Sequence, residues 1–141
     1  MKFNYFKFPL PKRSKLFGWS ILKPIIPLEI SHGERKLRYN ALIDSGADLS
    51  IIDGVVGDFL GLDVRSGDRE VFGGVQETAP AEAFLHRVKI NIGGHDYETK
   101  IGFSYDIAKH GFGLLGQKGF FDLFIVKFDL AKEEVELKAR E

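Results

Sequence analysis

Cysteine is absent from the chain, which removes disulfide bridges, thiolate catalysis and cysteine-ligated zinc together. No apolar run is long enough to span a bilayer, and the N-terminus lacks the apolar core of a signal peptide. A cytoplasmic location without a membrane span is therefore expected. Net charge is missing as well: twenty Lys and Arg balance twenty Asp and Glu, so no global field recruits nucleic acid. The four histidines, His32, His86, His95 and His110, fall at no close metal-binding spacing, and no G-x-S-x-G elbow occurs. Neither a metal, a cofactor nor a Ser-His-Asp triad is expected. What is present is 141 residues, 44% hydrophobic and with thirteen phenylalanines, enough apolar material for one compact domain and too short a chain for two.

Charge balance hides a local bias. Up to Leu28 the chain carries Lys2, Lys7, Lys12, Arg13, Lys15 and Lys23 and no acid, interleaved with Phe3, Tyr5, Phe6, Phe8, Phe17 and Trp19. Pro9, Pro11, Pro24 and Pro27 rule out one continuous amphipathic helix and leave extended structure. Residues 1–24 read as a basic, aromatic N-terminal extension, and 25–141 as the domain proper. The extension has two readings: its aromatics complete the core or cover a sheet edge, or it serves as a pro-segment or partner-binding arm.

Beyond it, strand follows strand. Ile26, Leu28 and Ile30 alternate with Pro27 and Glu29, and Ser31 to Glu34 turns the chain into a second alternation of Leu37, Tyr39, Ala41 and Ile43. Asp53 to Leu60 suits a short helix ended by Gly61. Phe84, Val88, Ile90 and Ile92 share a face against Arg87, Lys89 and Asn91. Gly93-Gly94 then turns the chain toward Tyr97, Thr99, Ile101 and Phe103. A last hairpin is expected from Leu123 to Lys138, with Phe124, Val126 and Phe128 on one strand and Val135 and Leu137 on its partner. The fold class is all-β with one or two short helices.

Two motifs carry the chemistry. Asp44-Ser45-Gly46-Ala47 ends the strand of Leu42-Ile43, placing a carboxylate and a hydroxyl on a turn where glycine lets the chain fold back. Downstream stands Phe112-Gly113-Leu114-Leu115-Gly116. Together they resemble the boxes of the retropepsin-like aspartic proteases, the single-lobe family of retroviral and retroviral-like enzymes, and the resemblance runs from about Ile25 to Leu137. It implies an acid-protease fold, half of a pepsin-like molecule, with Asp44 catalytic and Ser45, Gly46 and Ala47 forming the active-site loop. Ser45 would bond across a dimer axis, and Asp48 would contact substrate backbone. Leu114, Leu115 and Gly116 would support the loop from below. Gln117 departs from the pattern, standing where many retroviral members place an arginine.

The segment from Asp68 to Ala81, with glycines at its centre, has the position of the family's flap, so Gly73, Gly74 and Val75 are expected to touch substrate. Gly111 to Gly116 also spells G-x-G-x-x-G, but a dinucleotide site needs a strand before it and a helix and further strand after it, and the chain offers neither. One Asp-Ser-Gly box supplies one carboxylate, whereas the aspartic mechanism uses two. The resemblance thus implies a homodimer that hydrolyses a peptide or protein substrate without metal or cofactor. The alternative is a catalytically silent module of the same fold that dimerises or binds peptide.

Overall fold

Alternation becomes a closed sheet. The computed structural model describes residues 1–72, 81–107 and 111–141. Its strands are β1 (Lys2–Asn4), β2 (Phe6–Ser14), β3 (Gly18–Lys23), β4 (Ile25–His32), β5 (Arg35–Ile43), β6 (Ile51–Asp53), β7 (Asp68–Phe72), β8 (Ala81–Ile92), β9 (His95–Ser104), β10 (Gly113–Leu115), β11 (Phe124–Asp129) and β12 (Glu134–Ala139). Between β6 and β7 lie α1 (Gly54–Phe59) and a 3-10 turn (Val64–Ser66). The all-β expectation holds: α1 is the one α-helix among the described residues, and no helix there is long and apolar enough to cross a membrane.

Seven strands join in the order β4-β5-β10-β6-β9-β8-β7, and β4 also pairs with β8, which closes the ring. The closure runs Glu29↔Asn91, Ile30↔Ile90 and Ser31↔Lys89. Ile30 and Ile90 therefore meet side by side, both fully buried. The β8–β9 hairpin turns at Gly93 and Gly94, with φ of 61° and 87°, a two-residue loop in which both residues take the left-handed conformation. α1 starts where Asp53 accepts the Val55 amide at 3.0 Å, and the chain leaves it through Gly61 at φ 82°.

A second sheet, β1-β12-β11, packs onto the same core through Phe124, Val135 and Leu137. Phe124 stacks against Phe120 at 5.1 Å and meets Tyr97 edge-on at 4.8 Å. The first residues of the chain belong to this sheet, since Phe3 pairs with Val135 and Met1, Phe3 and Tyr5 pack against the core. The last hairpin forms as expected, with Phe124, Val126 and Phe128 on β11 and Val135 and Leu137 on β12, but Phe128 is not part of the core. It is 42% exposed although it pairs with fully buried Val135. Val135 lies on the central strand, flanked by Phe3 and Phe128, whereas Phe128 lies on the edge strand with nothing beyond it.

Segment 117–123 after the second box forms successive turns rather than a regular helix. Gly119 interrupts it at φ 96°, where a side chain would be strained and would press on Lys100 O. Residues 6–23 form a separate two-stranded sheet, β2–β3.

Candidate active site

Asp44 is held from the backbone outward. β10 runs parallel beside β5, pairing Leu114 with Leu42 and Leu115 with Ile43, and the Asp44 amide extends the ladder by donating to Leu115 O at 3.0 Å. The chain then turns: the Ala47 amide donates to Asp44 O at 3.1 Å and the Gly46 amide to Asp44 Oδ1 at 3.0 Å. The carboxylate thus fixes its own turn through one oxygen. Gly46 does not take positive φ, so its conformational freedom is not what the turn uses. A Cβ there would sit 3.3 Å from Asp44 Oδ1, a tight contact that would make the carboxylate give by a few tenths of an ångström.

The segment after β10 stitches the loop from the other side. The Gln117 amide donates to Ala47 O at 2.8 Å, the Lys118 amide to Asp48 O at 3.0 Å, and the Ser50 amide to Lys118 O at 2.8 Å. Gly116 is the tightest point of this seam, because a Cβ would lie 2.6 Å from Leu49 O and 2.7 Å from Ala47 O. Gln117 uses its side chain as well, Nε2 donating to Ser45 O at 2.9 Å. The residue that departs from the family pattern therefore clamps the turn next to Asp44.

Ser50 was not singled out by sequence reasoning. It is fully buried, and its Oγ accepts the Gly116 amide at 2.9 Å, so that amide is not left unpaired inside the core. Its only signal in the sequence is a hydroxyl set between Leu49 and Ile51. Thr99 acts similarly, its hydroxyl donating to Gly119 O at 2.8 Å. Tyr39 stands over Gly113, where a Cβ would come within 2.9 Å of its ring. Burial raises the Tyr39 hydroxyl above the ordinary tyrosine pKa, and the Asp53 charge pushes the same way, partly offset by a backbone hydrogen bond.

Asp44, Gly46, Ala47, Asp48 and Leu114 line one cavity of about 1020 Å³. Glu70, Val71 and Phe72 of β7 line it too, with Leu85 of β8 and with Lys118, Gly119 and Asp122 from the segment after β10. β7 and β8 pair antiparallel from Asp68↔Leu85 to Phe72↔Ala81, at the position expected of a flap. Gly73, Gly74 and Val75 lie outside the described residues. Leu115 and Gly116 are buried against the loop, whereas Ser45 is exposed. The dinucleotide alternative is removed by geometry: Gly113–Leu115 within the G-x-G-x-x-G run is itself a strand, with no helix after it.

Among solved structures, the chain is similar to the EIAV protease complexed with the inhibitor HBY-793. The match has 21% identity and a TM-score of 0.47 and covers 67% of this chain and 82% of that one. No protein-family model and no curated protein matches the chain.

Proposed function

We propose that the chain is a retropepsin-like aspartic endopeptidase, active as a homodimer. The observation that carries the reading is the placement of Asp44, a carboxylate on a backbone-braced turn at the wall of a cavity of about 1020 Å³, large enough for several side chains of an extended peptide. A second copy would supply the second Asp44 across a two-fold axis, and Ser45 is exposed, so its hydroxyl is free to meet a second copy.

With one carboxyl ionised and the other protonated, the ionised group removes a proton from water as the oxygen attacks the scissile carbonyl carbon. The protonated group gives its proton to the carbonyl oxygen. Collapse of the tetrahedral diol breaks the C–N bond and returns a proton to the leaving nitrogen. Because this step needs one carboxyl ionised and the other protonated, the rate should be bell-shaped in pH.

The test is Asp44→Asn with a peptide library and purified protein. An amide keeps the side chain's shape but cannot accept the proton, so cleavage should fall by about a hundredfold to ten-thousandfold with the melting temperature retained. Undiminished cleavage by the variant overturns the aspartic mechanism. Peptide binding without cleavage by the parent chain would instead identify the silent module.

A further inference from the structure

The β2–β3 hairpin places apolar side chains in water. Leu16 is 81% exposed, Trp19 65% and Phe17 53%, and all three lie at its distal end. The tip is built to hold them there. Ser14 Oγ accepts the Leu16 amide at 3.1 Å and the Phe17 amide at 3.0 Å, and Gly18 closes the turn at φ 75°. Around the tip stand Lys12, Arg13 and Lys15, with Lys7 farther back, all exposed. Among the described residues, the ion pairs join Arg65 and Arg69 to Glu82, and none involves a hairpin cation. The base of the hairpin is tied to the body where Phe8 meets Phe112 edge-on at 6.2 Å and Lys23 lies over the Phe112 ring at 6.0 Å.

We propose that this hairpin is a peripheral membrane-docking element that takes an anionic phospholipid surface, its Leu16, Phe17 and Trp19 entering the interface while Lys12, Arg13 and Lys15 pair with headgroups. The charge is complementary, since the strip carries cations and no acid. The apolar chemistry selects lipid over nucleic acid: the most exposed residue, Leu16, has no ring to stack on a base, whereas an aliphatic tip with a neighbouring tryptophan suits the acyl-headgroup boundary. Addition of another protein strand along β2 is disfavoured by Pro9 and Pro11, which have no amide to offer it. The element lies on the surface and does not span the bilayer, and it is independent of the reading of Asp44.

Trp19 is the sole tryptophan, so its emission reports the tip directly. The experiment titrates the full chain with vesicles of phosphatidylcholine alone or mixed with phosphatidylserine, following Trp19 emission and co-sedimentation. The expected result is a blue shift and co-sedimentation with the mixed vesicles, weakened by added salt and absent with phosphatidylcholine alone. Lys12→Glu, Arg13→Glu and Lys15→Glu together should weaken partitioning by roughly a hundredfold or more. Leu16→Ser with Phe17→Ser should abolish the blue shift. Circular dichroism of both variants shows that they remain folded. No binding to mixed vesicles, or equal binding by both variants, overturns the proposal. So does Trp19 quenching by a single-stranded RNA, or concentration-dependent self-association through the tip, without vesicle binding.

Discussion

The seven-stranded sheet, six of whose strands close into a ring, and the β2–β3 hairpin are built from similar strands and meet opposite fates. In the sheet, alternate residues such as Ile26, Ile30, Ile90, Ile101 and Phe103 are fully buried. In the hairpin, Phe6, Phe17 and Trp19 stay exposed, because among the described residues the body covers it only near its base, where Phe8 meets Phe112. Backbone pairing is common to both regions. Burial comes only where β4 and β8 close the ring and the β1-β12-β11 sheet packs on the core that it encloses. Strand pattern therefore reports pairing, while stability depends on a second layer.

The contrast is broken most severely from inside the sheet. Phe103→Ala removes a fully buried ring from the common core and should cost about 3–5 kcal/mol, read as a large loss of thermal and chemical stability. Ser50→Ala should cost about 1–3 kcal/mol, because the buried Gly116 amide loses its acceptor. Under the proposed mechanism it should also lower activity more than its stability loss explains, which a melting curve and a peptidase assay on the same sample would separate.

A smaller effect is expected at Tyr105, whose hydroxyl donates to Asp58 Oδ1 at 2.7 Å. That hydrogen bond, with burial second, raises the Tyr105 pKa above its ordinary value near 10. The folded state thus favours the neutral phenol. The contribution is fully present below the unfolded pKa and is lost as pH rises through the folded one. Tyr105→Phe should destabilise by about 1 kcal/mol or less at neutral pH. Urea melts across the alkaline range should show the difference from the parent shrinking as the phenol ionises. The smallest effect belongs to the hairpin, where Leu16→Ser should move folding stability by less than about 0.5 kcal/mol. A loss of several kcal/mol there would mean that the tip packs against something, and the comparison with the sheet would fail.

Much of this architecture is legible in the sequence because it is local and periodic. The alternation through β5 up to Asp44, the Asp53 start and Gly61 exit of α1, and the Gly93-Gly94 turn are each written in a few adjacent residues. Other features depend on distant partners. β10 is three residues long, too short to show a period, yet its pairing with β5 on one side and β6 on the other sets the Asp44 loop. The β4–β8 closure joins residues some sixty positions apart through ordinary alternating strands. The 42% exposure of Phe128 is likewise not legible, because alternation does not say which strand is the edge. At the site, Asp44 and the second glycine box can be read directly, but the Ser50 and Gln117 contacts cannot, since a hydroxyl or amide signals its partner only once the backbone is folded around it.

β8 has a further consequence, which lies in the order of its motions. Lys89 to Asn91 are paired on both edges, with β9 on one side and β4 on the other. Ala81 to Ala83 pair only with β7, and Phe84 and Leu85 with both β7 and β9. A single strand thus runs from an end paired on one edge, where Asp106 Oδ2 also accepts the Glu82 amide at 3.0 Å, to an end locked into the ring on both, like a reed clamped at its base. Its amides should exchange with solvent on a graded timescale, fastest near Ala81 and slowest near Ile90.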